Sequence, residues 1–276
     1  MSVEEYFLPQ SIEEAIGLLD EPGQEILILA GGTLAMPLIN EGISTPQKVV
    51  GIKDAGLNYL KRVNGEFIIG ATTTLTQMEN QDEISILKDA ARAVGGWAIR
   101  NMGTVGGNLF APSPGGDFAV ALLALDAKVV IIGSDDERTL PIDQFFTGFM
   151  TNVLQAGEIV KEFQIPLPVG KTGYLKFGRR SANTPSVVTV AVNLKIAGDT
   201  VEEARIALGA VGPYPLRAYK AEEALVGKPL TDETIKDAAQ IAVGECEPFT
   251  DAIASEWYRE RMIPIVLKRC IEGIIR

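Results

Sequence analysis

Residues Ile99 to Asp117 read IRNMGTVGGNLFAPSPGGD, a run in which glycine, proline and asparagine interrupt any helical or strand periodicity. Apolar segments flank it on both sides, so it is an internal loop rather than a tail. Gly103, Gly106, Gly107, Gly115 and Gly116 let backbone N–H groups come close to a ligand that a Cβ would hold away. Successive N–H groups of this kind form a concave anion site without any basic side chain. A long glycine-rich surface turn would carry the same composition. The stretch ends at Asp117, a suitable N-cap for the apolar run that follows, and so delivers the loop to a helix N-terminus that favours anions.

Composition narrows what such a loop can serve. The 276 residues hold 25 Lys and Arg against 36 Asp and Glu, a net charge of −11. That sign disfavours nucleic acid and anionic membrane, both of which are bound through basic patches. The length suits about two domains, and a hydrophobic content of 46% suits a soluble globular chain. There is no histidine, which removes Ser-His-Asp and Cys-His nucleophiles and every histidine-containing metal site. The two cysteines, Cys246 and Cys270, cannot supply the four thiolates of an ordinary iron–sulfur cluster. They fit a reduced, cytoplasmic setting. No apolar run reaches a membrane span, and MSVEEYF lacks the features of a signal peptide.

Upstream of the central stretch, Ile84, Leu87, Ala91 and Val94 predict a helix closed by Gly95-Gly96. Phe67 to Ala71 reads as a strand. Ile26 to Ala30 is a continuous apolar run, predicted to be a buried strand that leads into Gly31-Gly32-Thr33, with a second strand at Lys48 to Ile52. Strand, loop, helix and strand in that order make a small α/β unit. Ser11 and Glu14 form a capping box for a helix ending near Asp20, before Pro22-Gly23. Downstream, Val129 to Ile132 and Ile159 to Ile165 read as strands. Pro166 to Gly170 marks a domain boundary. Beyond it Gly173 to Phe177, Val187 to Ile196 and Arg205 to Val211 predict an antiparallel sheet. A helix capped by Thr231 follows, then a C-terminal helical stretch bent or interrupted at Pro264.

Several motifs fail or stay ordinary. Gly170-Lys171-Thr172 imitates the end of a Walker A loop, but its first glycine would stand at Ile165. No G-x-G-x-x-G follows a strand, so a Rossmann dinucleotide site is unsupported. Arg179-Arg180 reads as a solvated pair, Trp97 and Trp257 as core, and Glu256 and Arg259 as the solvated face of the last helix. Ala30-Gly31-Gly32-Thr33 alone is a turn after a strand. Paired with the central stretch, it offers a second nest, and two nests can grip the two phosphates of one pyrophosphate.

With these residues in view, AGGT at 30–33, IRNMGTVGGN at 99–108 and the A-x-S-P-x-x-D pattern from Ala111 to Asp117 resemble the FAD-binding subunit of molybdenum hydroxylases. This is the family of carbon monoxide dehydrogenase medium chains and the xanthine dehydrogenase flavin domain. Phe145 to Gly148, Glu158-Ile159, Arg205 to Gly209 and Tyr258-Arg259 resemble its later landmarks. The resemblance implies an α+β fold. An FAD-binding domain over 1–168, made of two α/β subdomains (about 1–55 and 56–168) of the vanillyl-alcohol-oxidase or PCMH type, would precede a domain of antiparallel sheet and helices over 169–276.

It further implies FAD, with Gly31, Gly32 and Thr33 on one side of the pyrophosphate and Thr104, Gly106, Gly107 and Asn108 on the other. Asp117 would accept from a ribose hydroxyl, and Ile159 and Lys176 would lie near the isoalloxazine ring. Ala30, Leu34, Ala35, Thr72, Ile99, Asn101, Gly103, Ala111 and Ser113 complete the implied cofactor set, with no catalytic residue and no metal. Leu34 and Ala35 stand where many relatives carry polar residues, and SANTPSVV at 181–188 lacks an aspartate common after the basic pair. The implied function is electron transfer from iron–sulfur clusters through FAD to an acceptor such as NAD. An iron–sulfur subunit and a molybdopterin-binding subunit would be the partners. A self-contained flavin reductase or oxidase, or a scaffold without flavin, are the competing readings.

Overall fold

A short parallel sheet opens the chain. The computed structural model describes residues 3–20, 26–113 and 116–275, so Pro22-Gly23, Pro114 and Gly115 lie outside the described residues. Strands β1 (Glu5–Phe7), β2 (Ile26–Leu29) and β3 (Lys48–Gly51) pair in the order β1-β3-β2, both pairs parallel. Helix α1 (Ile12–Leu19) connects β1 to β2, and α2 (Ala35–Asn40) connects β2 to β3. The Ser11 hydroxyl accepts the Glu14 N–H at 3.1 Å, while the Glu14 carboxylate reaches past Ser11 to the Gln10 N–H at 2.8 Å. Central β3 is buried throughout. Edge strand β2 is only half-buried, against the expectation of a buried strand.

A five-stranded antiparallel sheet follows, in the order β4-β5-β10-β6-β7. Its strands are β4 (Leu60–Val63), β5 (Glu66–Gly70), β6 (Lys128–Ile132), β7 (Glu137–Pro141) and β10 (Ile159–Pro166), with a small hairpin of β8 (Phe146–Gly148) and β9 (Thr151–Asn152) between β7 and β10. Helices α3 (Leu75–Asn80), α4 (Ser85–Ala93), α5 (Trp97–Met102), α6 (Val105–Leu109) and α7 (Asp117–Ala124) lie between β5 and β6 in the chain. Through Leu109 the central stretch is therefore two short helices and not an irregular loop. Glycine and asparagine are poor helix formers, but tertiary bonds compensate. The Val105 N–H donates to the Thr73 carbonyl and the Leu75 N–H to the Gly103 carbonyl, each at 2.9 Å.

Every residue of α7 is buried. It packs on the five-stranded side and on the C-terminal sheet. That sheet is antiparallel, β11 (Lys171–Gly178), β12 (Ser186–Ala197), β13 (Thr200–Gly209) and β14 (Leu216–Arg217) in sequence order. Helices α8 (Tyr219–Leu225), α9 (Asp232–Val243) and α10 (Glu256–Ile275) cover it. Helix α10 runs through Pro264 without interruption.

Three side chains differ from expectation. Trp97 is 71% and Trp257 59% exposed, so neither is core. Trp257 instead stacks beneath the Arg261 guanidinium at 4.5 Å. Arg259 is fully buried, not solvated. Its Nη1 donates to the carbonyls of Ser186, Val187 and Ala210 at 3.0, 2.7 and 2.9 Å, and its Nη2 to Asp251 Oδ1 at 2.8 Å. Ala210 has φ +63°, a left-handed conformation costly for alanine, which the arginine bond helps to hold. A helical-wheel argument misses this because i, i+4 spacing does not reveal which polar residue finds buried acceptors.

Burial raises the Asp251 carboxyl, but the Ala254 N–H, the Arg259 guanidinium and the Ile253 N–H outweigh it and hold the group below its ordinary value. A depressed folded pKa gives stability that is present above the unfolded value and lost as pH falls through the folded one. Urea titrations should show stability falling below about pH 4, with the slope flattened in Asp251→Asn. Arg259→Met should cost about 3 kcal/mol at pH 7, because it strands Asp251 and three carbonyls.

Candidate functional site

Between the edge strand β2 and helix α6 lies a cavity of about 560 Å³. One wall is the strand itself and the turn after it, Ala30 to Ala35; the other is Gly103, Thr104, Gly106, Gly107 and Asn108. Apolar residues from distant segments close it: Leu38, Ile52, Ala71, Val94, Ile99, Phe110, Ala111, Met150, Ile159 and Val160. Position along the chain gives no hint of Ala71, Met150 or Val160. They are brought in by the β5–β10 pairing and the hairpin beside it.

Glycine is required where the two walls meet. A Cβ on Gly31 would stand 1.9 Å from the Met102 carbonyl oxygen, and one on Gly106 would stand 2.8 Å from the Ala71 carbonyl oxygen. Gly32 has φ +70°, a conformation that side chains disfavour. The glycines therefore allow backbone to lie on backbone.

Hydrogen-bond donors are divided unequally between the walls. In α6 and before it, the N–H groups of Gly103, Gly106 and Gly107 already donate to Ile99 O, Ala71 O and Thr104 Oγ1 at 2.6, 2.9 and 3.0 Å. The expected nest of N–H groups there is used by the fold. In the turn after β2, the N–H groups of Gly31 to Ala35 have no protein acceptor among the described residues. That turn holds the unclaimed donors.

Asn108 takes over the capping duty expected of Asp117, and Asp117 turns away from the cavity. Gly116, at φ +74°, occupies the N-cap of α7, and the Asn108 Oδ1 accepts the Phe118 N–H at 3.0 Å. Asp117, in the first turn of the helix, points its carboxylate at the C-terminal sheet. Oδ1 accepts from the hydroxyls of Ser186 and of Thr189 (2.8 Å), and Oδ2 from Lys176 Nζ at 2.7 Å. The ammonium also donates to the Ala93 carbonyl at 3.0 Å. Tyr174 donates its hydroxyl to the Asp117 carbonyl at 3.1 Å. Burial, and then the Asp117 charge, push the Tyr174 phenol well above its ordinary pKa and keep it a donor.

Of the expected contact set, Ala30 to Ala35, Ile99, Gly103, Thr104, Gly106, Gly107, Asn108, Ala111 and Ile159 come together around the cavity. Thr72, Asn101, Ser113, Asp117 and Lys176 are not in its lining. Asn101 accepts from the Thr76 hydroxyl at 2.7 Å, and Ser113 donates to the Gly212 carbonyl at 2.8 Å. The Thr72 hydroxyl is buried without a partner among the described residues. Ser186 and Thr189, which hold the carboxylate, carried no sequence signal beyond lying in a strand.

Comparison with known proteins identifies the chain. Residues 1–168 match the family described as "FAD binding domain in molybdopterin dehydrogenase", and residues 173–274 match "CO dehydrogenase flavoprotein C-terminal domain". The chain belongs to the FAD-binding medium subunits of molybdenum hydroxylases. It is 34% identical to the nicotinate dehydrogenase FAD-subunit of Eubacterium barkeri over 283 residues, covering 98% of this chain and 96% of that one. The carbon monoxide dehydrogenase of Hydrogenophaga pseudoflava contains a chain that superimposes with a TM-score of 0.94 at 31% identity, again over 98% and 96% of the two chains. Quinoline 2-oxidoreductase from Pseudomonas putida 86 gives 0.92 at 28%, with the same coverage.

FAD is the cofactor of this medium subunit, and the cavity fits it. Apolar walls suit flat rings, and a row of unclaimed N–H groups suits a pyrophosphate. Gly31→Val should force the walls apart and empty the subunit of flavin, read as flavin absorbance per chain with circular dichroism unchanged. Gly106→Val should act likewise. Gly17→Ala, with open space around its Cα, should keep full flavin content.

Proposed function

We propose that this medium subunit is the electron-transfer component of a multisubunit molybdenum hydroxylase. It takes electrons from iron–sulfur clusters on one partner chain, after a molybdopterin-bearing chain has oxidised the substrate, and passes them to a soluble acceptor such as NAD. The observation that carries this reading is the cavity, which offers binding and positioning and has no ionisable side chain among its described lining residues. FAD supplies the redox chemistry, accepting electrons singly and releasing them as a pair. The protein's part is to hold and orient it.

In this reading the N–H groups of Gly31 to Ala35 and the Thr33 hydroxyl bind the pyrophosphate. Thr104, Gly106 and Gly107 back the opposite wall, and Asn108 fixes the end of α7 beside it. Ile99, Ala111 and Ile159 present apolar surface to the rings. Thr72, Asn101 and Ser113 brace the walls from behind, while Asp117 and Lys176 fasten α7 to the C-terminal sheet.

Two further facts support a role among partners. Relatives are titled medium chain, FAD-subunit and, in Paenarthrobacter nicotinovorans, "6-hydroxypseudooxynicotine dehydrogenase complex subunit alpha". Burial pushes both cysteine thiols up to about 12, so neither is a thiolate ready for a cluster. Unpaired thiols fit a cytoplasmic setting, and no described helix is long and apolar enough to cross a membrane.

Purification of the tagged chain from its native host should bring down two further chains, one with an iron–sulfur electron paramagnetic resonance signal and one with molybdenum. Substrate added to that complex should bleach the flavin. A flavin-loaded chain that oxidises or reduces a small substrate on its own, with no associated chains, would sink this reading in favour of a self-contained enzyme.

A further inference from the structure

The hairpin of β8 and β9 ends at the mouth of the flavin cavity. Gly148 pairs with Thr151, so Phe149 and Met150 alone form its loop. The stem is fixed. Phe145 is fully buried and meets Phe110 and Phe146 edge to face at 6.0 and 5.3 Å, and Phe146 stacks on Tyr214 of the C-terminal half at 6.1 Å. The Thr147 hydroxyl donates to Thr151 Oγ1 at 3.1 Å, and the Val153 N–H to the Phe145 carbonyl at 3.1 Å. Arg138 Nη2 donates to the Val153 carbonyl at 2.9 Å.

The tip lacks such packing. Phe149 is 57% and Met150 65% exposed, and Met150 is also part of the cavity wall. Two large apolar side chains gain nothing from facing water there. The backbone is equally unfavourable, with Met150 at φ +56°. A left-handed residue in a two-residue loop is best served by glycine or asparagine, because a larger side chain crowds its own carbonyl. Joining two strands therefore does not account for methionine at this position. A strained residue at the edge of a binding site points to a role that depends on the ligand. The cofactor supplies what the tip lacks, since a thioether and a phenyl ring both pack well against flat aromatic rings.

We propose that this tip is a strap for the cofactor. When FAD occupies the cavity, Phe149 and Met150 fold over its exposed edge and slow its escape, while the stem stays anchored to Phe110 and Tyr214. The strap rests on FAD as the occupant of the cavity and not on the route its electrons take, so its test involves no electron transfer.

Escape of FAD from the loaded full chain is followed by the fluorescence that free FAD regains after dilution. Met150→Gly and Phe149→Ser should each speed escape about tenfold, the loss of one well-packed apolar side chain. Met150→Gly should at the same time leave the melting temperature of the flavin-free chain unchanged or raised, because glycine relieves the turn. Met150→Leu, which keeps the apolar bulk, should hold FAD as long as the unaltered chain does. Ile241→Ser, at an exposed apolar position on α9, should not change escape. Dilute hydrogen peroxide reports closure directly: sulfoxide formation at Met150, read by mass spectrometry, should slow about fivefold or more on loading with FAD. Unchanged escape in Met150→Gly or in Phe149→Ser, escape from Met150→Leu as fast as from Met150→Gly, or equal oxidation of Met150 with and without FAD overturns the strap.

Discussion

One buried carboxylate fastens the two halves of this chain together. Asp117 opens a helix with no exposed residue, and its oxygens take hydrogen bonds from Ser186, Thr189 and Lys176, all in the C-terminal sheet. An uncompensated charge there would cost several kcal/mol, so the helix and the sheet are stable only in the arrangement that completes this set. Arg259 extends the constraint, since it binds the carbonyls of Ser186 and Val187 from below. The last helix, the sheet and α7 are thus tied through two buried ionic groups.

That fastening matters because α7 stands behind the cofactor cavity. Asn108, in the cavity wall, caps α7 through Phe118, and the turn from α5 to α6 is held against Thr73 and Ala71. With the far wall fixed, the near wall can come up to it at Gly31 until backbone touches backbone. The result is a rigid slot whose free hydrogen-bond donors lie on one side only. A flavin needs such a slot more than it needs reactive side chains, which agrees with a chain that has no histidine.

Lys176 ties α4 and α7 to the C-terminal sheet. Its ammonium donates to the Asp117 carboxylate at 2.7 Å and to the Ala93 carbonyl at 3.0 Å, one bond to each helix.

The sequence by itself determined the architecture and the family. Apolar runs at Ile26, Phe67 and Val187 were long and clean enough to name strands, and Ser11, Thr231 and the glycine pairs marked helix ends by local chemistry. The glycines of both walls were also legible, because only glycine permits such approach. What each donor does was not, since a hydrogen bond depends on which acceptor the fold brings near. The second set of glycine N–H groups turned inward to Ile99, Ala71 and Thr104; Asp117 turned to a strand some seventy residues away; and Arg259, on what read as a solvated face, found three carbonyls in the core. Those partners are separated in sequence and adjacent only after packing, so tertiary structure alone decided them.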